Sequence, residues 1–382
     1  ATVQEANQMA NLINRFCCLS GQTLNWDKSF LLFSANVSQP LAQQITHIFP
    51  VPLVDGTSTH LGHPLILPAK DRASAYNFVF DKFKNKLPTY KADKLSHAAR
   101  LELINYVFAS IPVYYMSNIL FSKKFLAKLT TVIRNFWWVG VREEAGSKAL
   151  CLRAWKDICT PKMRGLGIKN MLAMNRGLLL AAAWRLADNP DSHIYQVLRA
   201  KYFPGSSIWR TNSNTPKSAF WAFVLKVMPM LKAHSFYQIS QGNVSVWSSP
   251  WCSTWHNLYD HLIIQQSSNF IYPAKVSDLW LPGRKVWNTQ LVSNLFMEPS
   301  ASAIITTPIL LDDCRDILCW DLTPSGKCNS KSTYKLCLQQ INSVQANQPR
   351  QVNTSIQSIL QQVWKQKFMA PRVQTFAWRL LR

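Results

Sequence analysis

The chain has 382 residues, of which 48% are hydrophobic and 15 are tryptophan, and its formal net charge is +23. A composition this apolar excludes a wholly disordered protein, and so large a charge indicates a polyanionic partner, nucleic acid before an acidic membrane. The alternative is a basic surface that is merely solvated.

Several further classes are excluded by local composition. No apolar run reaches the ~18 residues of a membrane span, and the first residues, ATVQEANQ, lack the features of a signal peptide. The nine cysteines are odd in number and form no C-x-x-C pair, which argues against a disulfide framework and a complete zinc site. We therefore expect an intracellular protein, in nucleus or cytoplasm, with no membrane contact and no bound metal.

The N-terminal region predicts one helix and two short strands. Apolar side chains recur at helical spacing over residues 3–17, and Gly21 ends that pattern. Residues 30–33 have the apolar character of a buried strand, and residues 61–67 follow a Pro- and Gly-containing break as a second short strand.

Three basic helices are predicted next, with Asp71, Ser96 and Ser122 as their capping residues. Residues 70–170 contain 19 Lys and Arg against 7 Asp and Glu. In each helix the apolar stripe predicts a buried side, and we expect the cations, Arg100 among them, to lie opposite it. The candidates for contacts with a nucleic-acid backbone are Lys82, Lys84, Lys86, Lys123, Lys124, Lys128 and Arg134.

The second half of the chain changes character twice. Residues 141–235 are predicted to be mostly helical, with a long apolar helix at about 170–187, and residues 235–287 read as short strands and turns, including a hairpin at 241–247. A Gln-, Asn- and Ser-rich stretch at 339–357 is typical of a flexible linker.

Several short sequence motifs also occur one after another along the chain. Residues 15–34 read RFCCLSGQTLNWDKSFLLFS, and Leu61, Gly62, Pro64 and Leu65 follow in HLGHPL. They resemble "SG..hN..KS.hhFS" (h apolar) and "YLG.PL", which come just after the catalytic Tyr-x-Asp-Asp turn in reverse transcriptases of non-LTR (LINE-type) retroelements. The resemblance implies that the catalytic aspartates lie upstream of Ala1.

Later motifs extend this resemblance over nearly the whole chain. Residues 148–186 are similar to the plant version of these elements through Trp155, Cys159, Pro161, Lys162, Gly165, Leu166, Gly167, Asn175, Trp184 and Arg185, with Arg164 in place of a usual glycine. Further matches are Gly242, Trp247, Trp251, Asp316, Trp320, Gly326, Lys331, Ser332 and Tyr334, with Ser249 in place of a usual aspartate. Residues 363–382 resemble the start of the reverse-transcriptase zinc-binding region, whose ligands would follow.

The resemblance implies an α+β, multi-domain protein. Residues 1–68 would be the end of the palm, 69–140 a helical thumb, 141–338 a connection domain that is helical and then β-rich, and 339–382 a polar linker with a truncated zinc-binding region. The resemblance also implies that the whole enzyme, of which this chain would be a part, copies RNA into DNA with Mg²⁺. This chain is expected to hold no cofactor, to contain no catalytic residue and to bind an RNA or DNA duplex through phosphate contacts.

The resemblance also implies roles for single residues. Lys28 would face the incoming nucleotide, and Leu61 and Gly62 would contact the primer. Two other interpretations stay open: a degenerate element product without function, or a domesticated module that binds an unknown protein partner.

Three groups of residues could suggest metal or base binding, but a structural role explains each of them better. The pair Asp312 and Asp313 lies far beyond the palm-like segment, so we do not interpret it as the metal-binding pair of a polymerase. His60 and His63 would point to opposite faces of a strand, which argues against a shared metal. The tryptophan-rich patches are expected in the core: Trp137, Trp138, Trp209, Trp221, Trp247, Trp251 and Trp255.

Overall fold

The elements of the fold follow from a computed structural model, which describes residues 2–34, 36–54, 58–65, 74–87, 95–140, 151, 153–160, 165–211, 217–263, 271–345, 354–366 and 368–381. The fold is α+β and mostly helical, as the sequence predicted. The predictions for Asp71, Pro161, Lys162 and Arg164 lie outside these residues.

The α-helices in the described ranges are α1 Val3–Ser20, α2 Gln39–Ile48, α3 Asn77–Lys86, α4 His97–Leu103, α5 Val113–Met116, α6 Lys123–Trp138, α7 Trp155–Ile158, α8 Met171–Asp188, α9 His193–Tyr202, α10 Ala219–Ala233, α11 Thr289–Leu295, α12 Ser300–Thr306, α13 Ser330–Gln345, α14 Thr354–Lys365 and α15 Pro371–Leu381. The strands there are β1 Thr59–His60, β2 His63–Pro64, β3 Ser235–Gln238 and β4 Ile317–Trp320. They form two antiparallel pairs, β1 with β2 and β3 with β4.

The chain divides into two compact units, residues 1–81 and residues 82–382. The division falls within α3, so that its last five residues belong to the second unit. The domain boundaries inferred from the sequence stay predictions.

The first unit begins with the predicted helix. In α1 the Thr2 hydroxyl accepts from the Glu5 amide at 3.2 Å and the Glu5 carboxylate accepts from the Thr2 amide at 2.7 Å, a reciprocal capping box. Gly21 ends the helix at φ 69°, a left-handed conformation that glycine adopts without steric cost.

The strand predicted at residues 30–33 is wrong. A 3₁₀ turn at Trp26–Lys28 precedes this segment, and only Leu31 forms a β-bridge, to Leu53. Leu32 is exposed, and within the described residues it forms no β-bridge of its own. The strand predicted at 61–67 is limited, in the described residues, to the short hairpin of β1 and β2.

The second unit is built around α8, which packs against α10 and α13. Gly177 permits the closest approach, since a Cβ there would lie 2.9 Å from the Tyr334 Cα. Asn175 is fully buried, and its side chain accepts from the Phe121 amide at 2.9 Å. It also donates to the carbonyls of Met116 and Ile119 at 2.9 and 2.7 Å, so one side chain fixes the turn between α5 and α6.

The predicted basic helices pack through aromatic rings. Phe83 of α3 stacks on Phe108 at 5.8 Å, and Phe108 meets Phe136 of α6 edge-on at 4.9 Å. The second basic helix widens after α4 into a π-helical turn at Ile104–Phe108, and α5 follows after Pro112. The sequence did not predict this widening.

Arg100 corrects the expectation for the second basic helix. Its side chain is 7% exposed and donates to the Trp137 carbonyl at 3.3 Å, instead of lying on the solvent face. A cation at this place neutralises the negative end of the α6 dipole, which is why a charged side chain is stable there.

Two further predictions in the second half are wrong in detail. Residues 241–247 do not form the predicted hairpin. β3 pairs instead with β4, far along the chain, and the backbone amides of Gly242, Asn243 and Val244 surround the carboxylate of Asp316. In the expected linker, residues 339–345 belong to α13 and residues 354–357 to α14, because apolar residues such as Ile341 and Leu360 pack at helical spacing.

The prediction that the tryptophans pack in the core is confirmed for Trp137, Trp209, Trp221, Trp251 and Trp255, all of which are buried. Trp138 and Trp247 are half-buried.

Candidate nucleic-acid interface

The helix α6 separates apolar from basic side chains. Ser122 caps it by accepting from the Phe125 amide at 3.2 Å. One side of the helix is buried through Phe125, Leu126, Leu129, Ile133, Phe136 and Trp137. These positions recur at the three- and four-residue spacing that places side chains on one face of a helix.

The other side of α6 carries the predicted cations. Lys123, Lys124 and Lys128 are exposed and Arg134 is half-exposed. No Asp or Glu occurs anywhere in Lys123–Trp138, so no acidic side chain of the helix itself offsets these charges. The structure therefore brings four of the seven predicted backbone-binding residues together on one helix.

The three lysines of α3 are arranged differently. Lys82, Lys84 and Lys86 are all exposed, but each lies two residues after the last, a rotation of about 200° around the helix. Lys82 and Lys86 therefore share a side, and Lys84 lies across the helix from them. The Lys82 ammonium donates to the Tyr115 hydroxyl at 2.9 Å, which fixes its direction. The expectation that all three lysines lie together opposite the apolar stripe is not met.

The residues with roles implied by resemblance lie in two exposed turns of the first unit. Lys28 ends the 3₁₀ turn that Asn25 caps. Leu61 and Gly62 form the two-residue turn between β1 and β2, with φ of 50° and 76°. Positive φ at both positions is the geometry of a type I′ hairpin turn, which is rare for leucine. Leu61 is 76% exposed, so the tip of the hairpin presents an apolar side chain to solvent.

The structure corrects the prediction that His60 and His63 point to opposite faces of a strand. They flank the two-residue turn and are direct cross-strand partners, so their side chains lie on the same face of the hairpin and not on opposite faces. The His63 ring nitrogen Nδ1 is 3.2 Å from the Tyr76 hydroxyl. In the described ranges no three His, Cys, Asp or Glu side chains group closely enough to hold a metal ion.

The carboxylates near residue 312 have local partners. Lys285 donates to the Asp312 carbonyl at 3.0 Å and lies 3.5 Å from the Asp313 carboxylate. Asp316 accepts from the backbone amides of Ser240, Gly242, Asn243 and Val244 at 2.6–3.2 Å. The Asp316 carboxylate thus satisfies the backbone N–H groups that converge in this loop. The sequence pattern identified Asp316 but not this role, because the loop lies more than 70 residues away.

The nine cysteines are free thiols. Burial raises the pKa of Cys159 to about 12 and that of Cys252 and Cys337 to about 11, so these thiols are protonated and poorly reactive at neutral pH. Within the described residues, none of the helices combines the length and the apolar character that crossing a bilayer requires.

Comparison with known proteins gives two plant relatives. The chain is 25% identical over 323 residues to the Arabidopsis thaliana protein named "Putative ribonuclease H protein At1g65750", an alignment that covers 82% of this chain and 49% of the relative. It is 28% identical over 145 residues to the "Uncharacterized mitochondrial protein AtMg00310" of the same plant, covering 37% of this chain and 92% of the relative. No family model matches the sequence.

The chain thus spans about half the length of the first relative. Relatives of this kind are typical of retroelement-derived sequences, which supports the general retroelement relation. The assignment to reverse transcriptases stays a prediction.

Proposed function

We propose that this chain is part of a non-LTR retroelement reverse transcriptase and that it holds nucleic acid by the phosphate backbone. The order of the sequence motifs supports the family, and the two plant relatives agree with it at the coarser level of a retroelement. The ribonuclease H in the name of the first relative belongs to that protein, and we assign no nuclease activity to this chain.

The observation that carries the proposal is the solvent face of α6. Lys123, Lys124 and Lys128 are exposed, Arg134 lies farther along the helix, and no acidic residue interrupts them. From Lys123 to Arg134 the helix rises about 16 Å, long enough to meet several successive phosphates of one strand. Lysine ammonium groups read charge and not base identity, so binding should be insensitive to sequence.

The remaining assignments follow from the same family. Lys28 is proposed to face the incoming nucleotide, and Leu61 and Gly62 to contact the primer end. Both residues are exposed at the tip of the hairpin, which leaves the turn accessible to such a contact. Mg²⁺ would serve the chemistry of the whole polymerase, and the proposed role of this chain is binding.

The test is the salt dependence of binding to a mixed-sequence duplex. Each phosphate contact contributes ~0.9 to the slope of log affinity against log salt on B-form DNA. Replacing Lys123, Lys124 and Lys128 together by Gln should weaken binding to different sequences alike and flatten the slope by up to about three.

The matched control replaces three other exposed cations of the second unit, Arg199, Lys217 and Lys226, by Gln. It removes the same charge from a different surface. If both triple variants lose affinity and slope equally, binding reflects only net charge and the α6 interface is refuted. Strong preference for one base sequence would also contradict the proposal.

A further inference from the structure

A cavity of about 450 Å³ opens beside β3 in the second unit, between residues 232–238, 250–256 and 307–310. Backbone hydrogen bonds join these three walls. The Tyr237 amide donates to the Pro250 carbonyl, and the Leu310 amide donates to the Ile239 carbonyl, both at 2.7 Å. The fold itself therefore builds the cavity, and its volume lies within the ~300–1,000 Å³ that small-molecule sites occupy.

Several side chains of the lining are open to solvent. Phe236 is 42% exposed, Gln238, Ser253 and His256 are also exposed, and Lys232 is half-buried. A ligand in the cavity can therefore reach an aromatic ring, an amide, a hydroxyl, an imidazole and an ammonium group.

The ammonium group of Lys232 lacks a counterion. In the described part of the chain it makes no hydrogen bond and no ion pair. Burial, and then the positive charge of Arg210, lower the pKa of Lys232. The Arg210 guanidinium itself lies over the Tyr259 ring, 4.1 Å from the ring centroid. Both causes disfavour the charged form of Lys232, and an anion in the cavity would offset them.

His256 adds a second donor to the same lining. Burial, and then the charge of Lys232, lower the pKa of His256, so the two side chains lie near each other and the imidazole is neutral at neutral pH. Its ring lies against Trp255, with the centroids 4.0 Å apart. A neutral imidazole offers one N–H donor. Among the described residues of the lining none is Asp or Glu, so an ammonium group and an N–H donor favour an oxyanion here.

We propose that this cavity binds a small phosphate monoester, with the phosphate on Lys232 and His256 and the organic part along Phe236. A phosphate carries up to two negative charges and three acceptor oxygens, which suits an ammonium group, an imidazole N–H and a further donor from Ser253 or Gln238. The exposed ring of Phe236 favours an ester with a flat apolar group over inorganic phosphate. None of the α6 lysines lines the cavity, so this site is independent of the proposed duplex interface.

The first measurement compares three probes on the full chain by calorimetry at fixed ionic strength. Phenyl phosphate, which carries both the charge and the flat ring, should bind more tightly than inorganic phosphate, and phenol should not bind measurably. Equal affinity for phenol and phenyl phosphate would overturn the proposal, because the phosphate would then contribute nothing.

Single substitutions locate the site. Lys232→Gln should lower the affinity for phenyl phosphate about 10-fold or more, the usual effect of losing a hydrogen bond to a charged group. The matched control is Lys226→Gln, which removes an exposed lysine of the same helix outside the cavity. Phe236→Ala should weaken phenyl phosphate and leave inorganic phosphate unchanged. Equal affinity in the Lys232 and Lys226 variants would refute the site.

The second measurement needs no change at Lys232. Saturating phenyl phosphate should shift the NMR ring signals of one of the eight histidines most strongly, and that signal should be missing from His256→Gln. If no histidine shifts, or if the largest shift belongs to another histidine, the cavity assignment is wrong.

The same signal distinguishes two sources of the phosphate. A shift with AMP identifies free nucleotides as ligands, and a shift with a 5′-phosphorylated oligonucleotide, but not with its unphosphorylated form, identifies the end of a strand. Binding of phenyl phosphate should persist when Lys123, Lys124 and Lys128 are replaced by Gln. A failed salt-slope test together with a positive histidine shift would therefore reject the proposed duplex interface alone.

Discussion

Helices α6 and α8 lie in the same unit and differ in what surrounds them. In α6, buried side chains occupy one face and cations the other. In α8, 11 of 18 residues are buried and they surround the helix. An amphipathic helix belongs to a surface, and a helix that is apolar all round belongs to a core. We therefore interpret α8 as the scaffold that positions α6, whose exposed cationic face is the proposed interface.

The polar residues of the two helices follow the same division. The three lysines of α6 are exposed to solvent, where they keep their hydration, whereas Asn175 of α8 is buried and bonded to three backbone groups. The scaffold thereby holds the turn just before α6, and a change in α8 should propagate to the interface.

The largest effect is expected from Asn175→Leu. The leucine has a similar volume but leaves the Phe121 amide and the carbonyls of Met116 and Ile119 without their partner. Each unsatisfied buried group costs about 1–3 kcal/mol, so the second unit should lose about 3 kcal/mol or more. Urea unfolding followed by tryptophan fluorescence measures this, since 14 of the 15 tryptophans lie beyond residue 81.

A matched control is Asn189→Leu, because Asn189 lies exposed just after α8. It should change the free energy of unfolding by less than about 0.5 kcal/mol. Equal losses in the two variants would mean that the three hydrogen bonds of Asn175 do not hold the α5–α6 turn.

Gly177→Ala should have the next largest effect, and its sign is informative. In an ordinary helix interior, Ala is more stable than Gly by about 1 kcal/mol. Here the new Cβ would lie 2.9 Å from the backbone of Tyr334, so α8 and α13 must separate, at a cost of about 1–3 kcal/mol. A higher urea midpoint than that of the unchanged protein would refute the close contact of these helices.

The sequence predicted the helices of the second unit better than it predicted which elements pair with one another. The spacing of apolar residues predicted α6 and its exposed cations, as well as α8, because a helical stripe is a local property. It did not predict the pairing of β3 with β4, since some 80 residues separate the strands, nor the extension of α13 into a polar stretch.

Arg100 shows why part of the structure around α6 escaped prediction. Arg100 reads as a surface cation in its helical pattern, and only the fold reveals that it meets the end of α6. Trp378 and Arg379 follow each other in the sequence, but nothing local indicates which helix they approach.

The triple lysine variant of α6 should leave the stability of the second unit nearly unchanged. Replacing Lys123, Lys124 and Lys128 by Gln removes exposed charges that none of the α6 side chains pairs. We expect the free energy of unfolding to change by less than about 0.5 kcal/mol, although binding weakens. Circular dichroism during urea unfolding checks this. A loss comparable to that of Gly177→Ala would place these lysines in the scaffold.

The smallest effect concerns the pH dependence of stability. Burial, then Arg379 and Arg100, lower the pKa of His97 in the folded protein, whereas the unfolded chain has the ordinary value near 6.5. The unfolded state therefore binds more protons as the pH falls through this range. The contribution of His97 to stability is thus fully present above about pH 6.5 and is lost as the pH falls below it.

His97→Gln should make that decline shallower without removing it, because burial also lowers the pKa of His256 in the same unit. Urea midpoints from pH 8 to pH 5 provide the measurement, and His256→Gln is the matched control, since it removes a histidine of the same kind away from α6. The two variants should each flatten part of the curve, and their combination should flatten more. If His97→Gln leaves the slope unchanged while His256→Gln reduces it, the environment of His97 against Trp137 does not disfavour its proton.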